Sequence, residues 1–254
     1  MRIFLIGSGN VATQLGKAFK ANGHKIVFVY SPNISHAGKL GFDLKTSFGR
    51  DLSMASRFKA DVYFIAVRDD AIEKVVKKLS IPKESLVIHT SGATDISVLK
   101  RKFRNCGVLW QAQTIKARSK VDFKKVPLVI EANNPSSKKK LLLLARGLSR
   151  KVYSLSSRQR RVLHLGAVFV NNFPNHLMYL SKALLKKHNM PFEIFGPLIL
   201  STAQSAIADP FLSQTGPARR NDKKTMQAHL KLLSDKNYRD LYKLLSRSIT
   251  KLYN

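Results

Sequence analysis

The sequence has one cysteine, Cys106, one tryptophan, Trp110, and only 15 acidic residues among 254. A lone cysteine forms no internal disulfide, and no Cys/His cluster has the spacing of a metal site. No apolar run reaches the roughly 18 residues that a membrane span needs. The opening Met1-Arg2-Ile3-Phe4-Leu5-Ile6 is too short for the core of a secretory signal and runs straight into glycines. These absences lead us to expect a soluble, cytoplasmic protein with no metal ion and no membrane attachment.

The scarcity of acids leaves 45 Lys and Arg largely unopposed, for a formal charge of +30. Apolar residues still make up 44% of the chain, enough for a buried core, so the charge does not imply disorder. The excess is spread along the sequence, and no zinc-finger spacing, basic zipper or RNA-recognition motif accompanies it. We therefore expect nonspecific, salt-sensitive attraction to polyanions and no dedicated nucleic-acid function.

Chemistry enters at the first glycines. Arg2-Ile3-Phe4-Leu5-Ile6 is a short apolar run of the kind that forms a fully buried parallel strand. It leads into Gly7-Ser8-Gly9-Asn10-Val11-Ala12 and then a helically spaced segment, which is the G-x-G-x-x-A fingerprint of a dinucleotide site in its strand–turn–helix context. Gly7 permits the tight turn, Gly9 lets the backbone approach a pyrophosphate, and Ala12 allows the helix to pack closely on the strand. Ser8, Asn10 and Val11 complete the cradle, where helix N–H groups and dipole face the phosphates. A tight turn with no cofactor is the plainer alternative.

The second strand, Lys25-Ile26-Val27-Phe28-Val29-Tyr30, ends in Ser31-Pro32-Asn33 with no acid before Asp43. A carboxylate at this point would hold a ribose 2′-hydroxyl and repel a 2′-phosphate, so Ser31 and Asn33 favour NADP over NAD. Further βα units follow. The apolar strand ending at Val67 and the strand Ser85-Leu86-Val87-Ile88-His89 lead into loops at the carboxyl edge of a parallel sheet, where ligands bind. Val67 and Ser91 thereby join the cofactor set. His89 becomes a catalytic candidate, or equally a packed structural histidine.

From Ser156-Ser157 the strand pattern gives way to helices, the first running from Arg158 towards Lys187 with a kink or interruption expected at Pro174. At about 100° per residue, Asn171 falls close to His164 on the helix surface, with Asn172 on an adjoining face. Buried polar groups need partners, so these residues point to a polar cleft, with His164 as general acid and Asn171 or Asn172 orienting the reacting group. Helix–helix hydrogen bonds are the alternative. Further on, Arg219 and Arg220 follow a Gly-Pro turn and offer forked donors to an anionic substrate, or simply stand on a capped surface turn.

Taken together, Gly7 to Ala12, Val67-Arg68-Asp69-Asp70-Ala71-Ile72, His89-Thr90-Ser91-Gly92-Ala93, Gln113-Thr114 and Gln214 to Asp222 resemble one bacterial family. Its members are NADP oxidoreductases with a Rossmann-like domain and a helical C-terminal domain. The chain is more distantly similar to pyrroline-5-carboxylate reductase, ketopantoate reductase and the deazaflavin-coenzyme-dependent NADP oxidoreductases. In hydroxyacid-dehydrogenase relatives the first helix of the C-terminal domain supplies a Lys and then an Asn; the resemblance sets His164 and Asn172 at those places. Pro32 stands where an Arg commonly helps to hold the 2′-phosphate.

The expected fold is α/β, a Rossmann-type doubly wound parallel sheet over residues 1–154, followed by a smaller all-helical domain over 155–254. The expected activity is hydride transfer between NADPH and a small anionic imine or carbonyl substrate in a cleft between the domains. A non-catalytic NADPH sensor with a protein partner is the alternative. The number of amphipathic helices in the second half leads us to expect a homodimer.

Overall fold

The computed structural model describes residues 1–116 and 121–254. The chain divides into two compact units, Met1–Phe169 and Val170–Asn254. Among the described residues the first holds eight strands: β1 (Arg2–Ile6), β2 (Lys25–Tyr30), β3 (Ser47–Gly49), β4 (Val62–Ile65), β5 (Leu86–His89), β6 (Cys106–Gln111), β7 (Leu128–Ala132) and β8 (Val152–Ser154). They form one sheet in the order β3-β2-β1-β4-β5-β6-β7-β8, parallel except where β7 runs against β6. The order reverses between β1 and β4, which makes the carboxyl ends of these two strands the switch point of a doubly wound fold.

The helices of this unit are α1 (Asn10–Ala21), α2 (Ile34–Leu44), α3 (Met54–Arg57), α4 (Asp69–Lys78), α5 (Ser97–Lys100), α6 (Pro135–Leu148) and α7 (Ser157–Ala167). They cover both faces of the sheet, which is why its central strands read as unbroken apolar runs. Along β1, Ile3 and Leu5 pack with Leu15, Phe19 and Leu44 on one side, while Phe4 and Ile6 pack with Tyr63, Ile72 and Trp110 on the other. Each such side chain contributes about 1.5–3 kcal/mol on full burial. Buried Tyr63 keeps its hydroxyl satisfied by donating to the Ala55 and Phe58 carbonyls, both at 2.9 Å.

Between α7 and the next helix, Val168–Asn172 forms a π-turn. Pro174 lies one residue beyond the start of α8 (Phe173–Lys187) and has no N–H to give to the preceding turn. The interruption that the sequence predicts near Pro174 takes the form of this π-turn, where the helix widens its register. The second unit continues with a 3₁₀ turn at Phe192–Phe195, α9 (Gly196–Ala208), α10 (Lys223–Leu232) and α11 (Lys236–Tyr253). Asp222 caps α10 by accepting from the Thr225 N–H at 3.0 Å, and Phe211 stacks on Tyr253. None of the residues of α8 to α11 is buried, and Ile207 is 86% exposed. Among the described residues, no helix is long and apolar enough to cross a membrane.

Candidate active site

β1 delivers the chain into Gly7, at φ +117°, whose N–H donates to the Tyr30 carbonyl at 2.8 Å. A Cβ there would lie 2.2 Å from the Ala66 carbonyl oxygen, with the Val67 side chain close behind. Only glycine fits this crossing. Gly9 differs, because its backbone is extended and a Cβ would meet no atom within 4 Å. What its missing side chain leaves is an open approach to the start of α1. Gly9 is also the N-cap of that helix, without a side-chain cap, and no acid lies in the first turn. The first N–H groups of α1, from Asn10 and Val11 onward, therefore present their unsatisfied donors and the positive end of the dipole, which suits a diphosphate.

Ser8 donates its hydroxyl to Ser31 Oγ at 2.9 Å, tying the glycine turn to the end of β2; Ser31 is buried. Asn33 is exposed, and its side-chain oxygen accepts from the His36 N–H at 3.0 Å to cap α2. Asp43, the first acid after β2, is paired with Lys17 at 2.9 Å. The residues at this edge thus fit a dinucleotide: a turn only glycine can make, an uncapped helix start, and no carboxylate directly after β2.

At the end of β5 the chain turns through Thr90-Ser91-Gly92. Ser91 Oγ accepts from the Ala93 and Thr94 N–H groups at 3.2 and 2.9 Å, closing the turn. His89 is 0% exposed; its Nδ1 accepts from the Ser91 N–H at 3.2 Å, and Nε2 has no hydrogen-bond partner among the described residues. Burial, reinforced by the nearby Arg160 guanidinium, holds its pKa down at about 3, although the Asp95 backbone oxygen favours the proton. A neutral, sealed imidazole of this kind fixes the Ser91 turn and is not presented to a substrate.

The centre of the assembly is a residue the sequence pattern does not single out. Arg160, on α7, is 0% exposed. Its Nη1 donates to the carbonyls of Ser91, Gly92 and Thr94 at 3.1, 3.0 and 2.7 Å, and its Nη2 to Glu131 Oε2 and Ser157 Oγ at 3.0 and 2.9 Å. The Ser157 hydroxyl in turn donates to Glu131 at 2.7 Å and accepts from the Ile96 N–H. A capping box between Ser156 and Gln159 starts α7 in the right register for this clamp. The one sequence signal was Glu131, an acid within an otherwise apolar strand.

One turn beyond Arg160, His164 reaches the same loop. Its ring lies 5.7 Å from the Trp110 ring, centroid to centroid, and a Cβ on Gly92 would stand 2.5 Å from His164 Cδ2 and 2.8 Å from Trp110 Cε2. Sequence reasoning placed His164 and Ser91 in one site but missed Trp110 and Gly92 as the surfaces that meet it. Asn171 and Asn172 are exposed on the π-turn, with Asn171 Nδ2 donating to Asn172 Oδ1 at 3.4 Å. Because the π-turn departs from α-helical register, the 100°-per-residue count that aligns Asn171 with His164 does not apply. In the second unit Arg219 donates to the Leu212 and Gln214 carbonyls and sits over the Tyr253 ring, while Arg220 is exposed. Cys106 is buried, which pushes its thiol up to about 11 and leaves it inert.

Residues 2–92 match the family described as NADP oxidoreductase, coenzyme F420-dependent, and residues 126–249 match a domain of unknown function, DUF2520. No curated protein matches the chain in sequence. Among solved structures, a Bacteroides fragilis protein described as an NADP oxidoreductase is 37% identical, covering 98% of each chain at a TM-score of 0.90. A Thermotoga maritima protein is 18% identical over 99% of this chain and 98% of its own, TM-score 0.74. A reductive aminase from Aspergillus terreus, in complex with NADPH and ethyl-5-oxohexanoate, shares the fold at 10% identity over 99% and 94% of the two chains, TM-score 0.73. Identity of this extent with the Bacteroides protein establishes the family: the chain belongs to the NADP oxidoreductases in which a Rossmann-like domain is followed by a DUF2520 domain.

Proposed function

We propose that the protein transfers hydride between NADPH and a small, anionic imine or carbonyl compound. The observation that carries this reading is the meeting of His164, Trp110 and the Ser91-Gly92 turn at the same sheet edge as the uncapped glycine turn. When bound, the dinucleotide supplies or takes the hydride. Gly7, Ser8, Gly9, Asn10 and Val11 hold its diphosphate, Ser31 and Asn33 its ribose end, and Val67 and Ser91 flank its reactive end. His164 holds the proton that the substrate gains as hydride arrives, and Trp110 with Gly92 fixes the imidazole. His89 supports the Ser91 turn from behind. The +30 field draws the anionic group of the substrate.

Fluorescence titration with NADPH and NADH, followed by turnover of a panel of imines and keto acids, tests the proposal. His164→Ala should lower turnover about 100-fold or more and leave NADPH affinity unchanged. Unaltered turnover removes His164 from the chemistry. Tight NADPH binding without turnover of any compound in the panel would favour a cofactor sensor.

We also propose a homodimer formed through the second unit. Its four helices carry apolar side chains such as Leu198, Leu200 and Ile207 that remain exposed in the single chain. A scattering mass equal to one chain at micromolar concentration would refute it.

A further inference from the structure

We propose that Arg50, immediately after β3, selects the 2′-phosphate of NADP. The proposal rests on the dinucleotide reading above and adds the charge which that reading lacks. At the end of β2, Ser31 Oγ already accepts from Ser8, Pro32 has no N–H, and the Asn33 side-chain oxygen is spent capping α2. These groups offer a phosphate only neutral donors, whereas charge-assisted bonds are about twice as strong.

The neighbouring strand supplies the cation. β3 runs parallel to β2 with Tyr30 opposite Gly49, and the Ser31 N–H donates to the Gly49 carbonyl at 3.1 Å. Arg50 follows Gly49 directly, next to the carbonyl that takes the Ser31 N–H. Arg50 is exposed, and its guanidinium has no ion pair or hydrogen bond among the described residues. The adjoining acid, Asp51, is ionised at the same edge but forms no ion pair with Arg50 among the described residues. Asp51 accepts from the Ser53 N–H and hydroxyl at 2.9 and 2.6 Å, and these bonds, with Arg57, hold its carboxyl below the usual range. Lys39, on the second turn of α2, adds exposed positive charge to the same edge. Arg50 brings a planar fork that can grip two phosphate oxygens at once, which a lysine cannot do.

The test is displacement of NADPH fluorescence by 2′-phospho-ADP-ribose and by ADP-ribose, two probes that differ only in the phosphate. Arg50→Ala should weaken the phosphorylated probe about 10-fold or more and leave ADP-ribose unchanged, with Arg50→Lys in between. Lys45→Ala, an exposed lysine at the other end of α2, controls for the general loss of positive field and should change neither ratio. A wild-type preference for the phosphorylated probe that survives Arg50→Ala overturns this proposal alone. Equal weakening of both probes marks Arg50 as structural and overturns it as well. A wild-type protein with no preference overturns the NADP reading together with it.

Discussion

Replacing Arg160 with methionine keeps the length and apolar stem of the side chain and removes five hydrogen bonds at one stroke. The carbonyls of Ser91, Gly92 and Thr94 lose their donor, and Glu131, only 14% exposed at its side chain, loses its counter-ion. Each abandoned acceptor would cost about 1–3 kcal/mol if kept dry. Some water will enter, so the sum overstates the loss, and breaking a buried pair from one side costs about 3–5 kcal/mol in practice. For a unit of this size that corresponds to a fall in Tm of about 6–20 °C. Trp110, the only tryptophan, packs on His164 beside this loop, so its fluorescence reports the unfolding of the first unit directly. Glu131→Gln should cost less, because three carbonyls still solvate the guanidinium. The double variant should be more stable than the two single losses predict, by about 1–3 kcal/mol. A Tm change under about 2 °C for Arg160→Met, or full additivity in the double variant, would refute the view that Arg160 holds the Ser91 turn against α7.

Two further perturbations probe the same loop. His89 is depressed to about 3 in the fold, so below pH 6.5 the unfolded chain takes up a proton that the folded chain does not, and stability falls by up to about 1.4 kcal/mol per pH unit as pH drops towards 3. Partly buried His24 shifts the same way, whereas Asp95, whose carboxyl is lowered by its bonds to Ser97, adds its loss only nearer pH 4. Urea unfolding at pH 7, 6 and 5 should therefore show a slope that His89→Asn reduces; an unchanged slope would mean that His89 is not held neutral. Gly92→Ala forces the His164 or Trp110 ring to move, with an expected cost of about 1–3 kcal/mol and a shift in Trp110 emission. Wild-type stability and emission would show that the rings do not pack on Gly92.

The parts of this fold that the chain announces are those where local chemistry leaves one solution. β1 is apolar at every position from Ile3 to Ile6 because both of its faces are covered, and Gly7 is required by a carbonyl 2.2 Å from where a Cβ would sit. β3 and β8 went unseen for the opposite reason. Each has three residues, lies at an edge of the sheet, and carries too little apolar alternation to stand out from a loop.

The site divides in the same way. The glycine turn follows from a contiguous motif, but Arg160 is one of 45 cations, and nothing within a few residues distinguishes it. Its burial is decided by Glu131, 29 residues away, and by carbonyls 66 to 69 residues away. The same folding that brings these acceptors together turns His89 from a catalytic candidate into the inside wall of the loop. His164 and Arg160 are separated by one helical turn, yet one faces the loop from within the packing and the other meets it beside Trp110. In a sequence this basic, charge locates nothing by itself. A cation becomes informative when an acid in an apolar strand, as Glu131 is on β7, requires a partner, or when a strand delivers it to an edge that lacks one, as β3 does for Arg50.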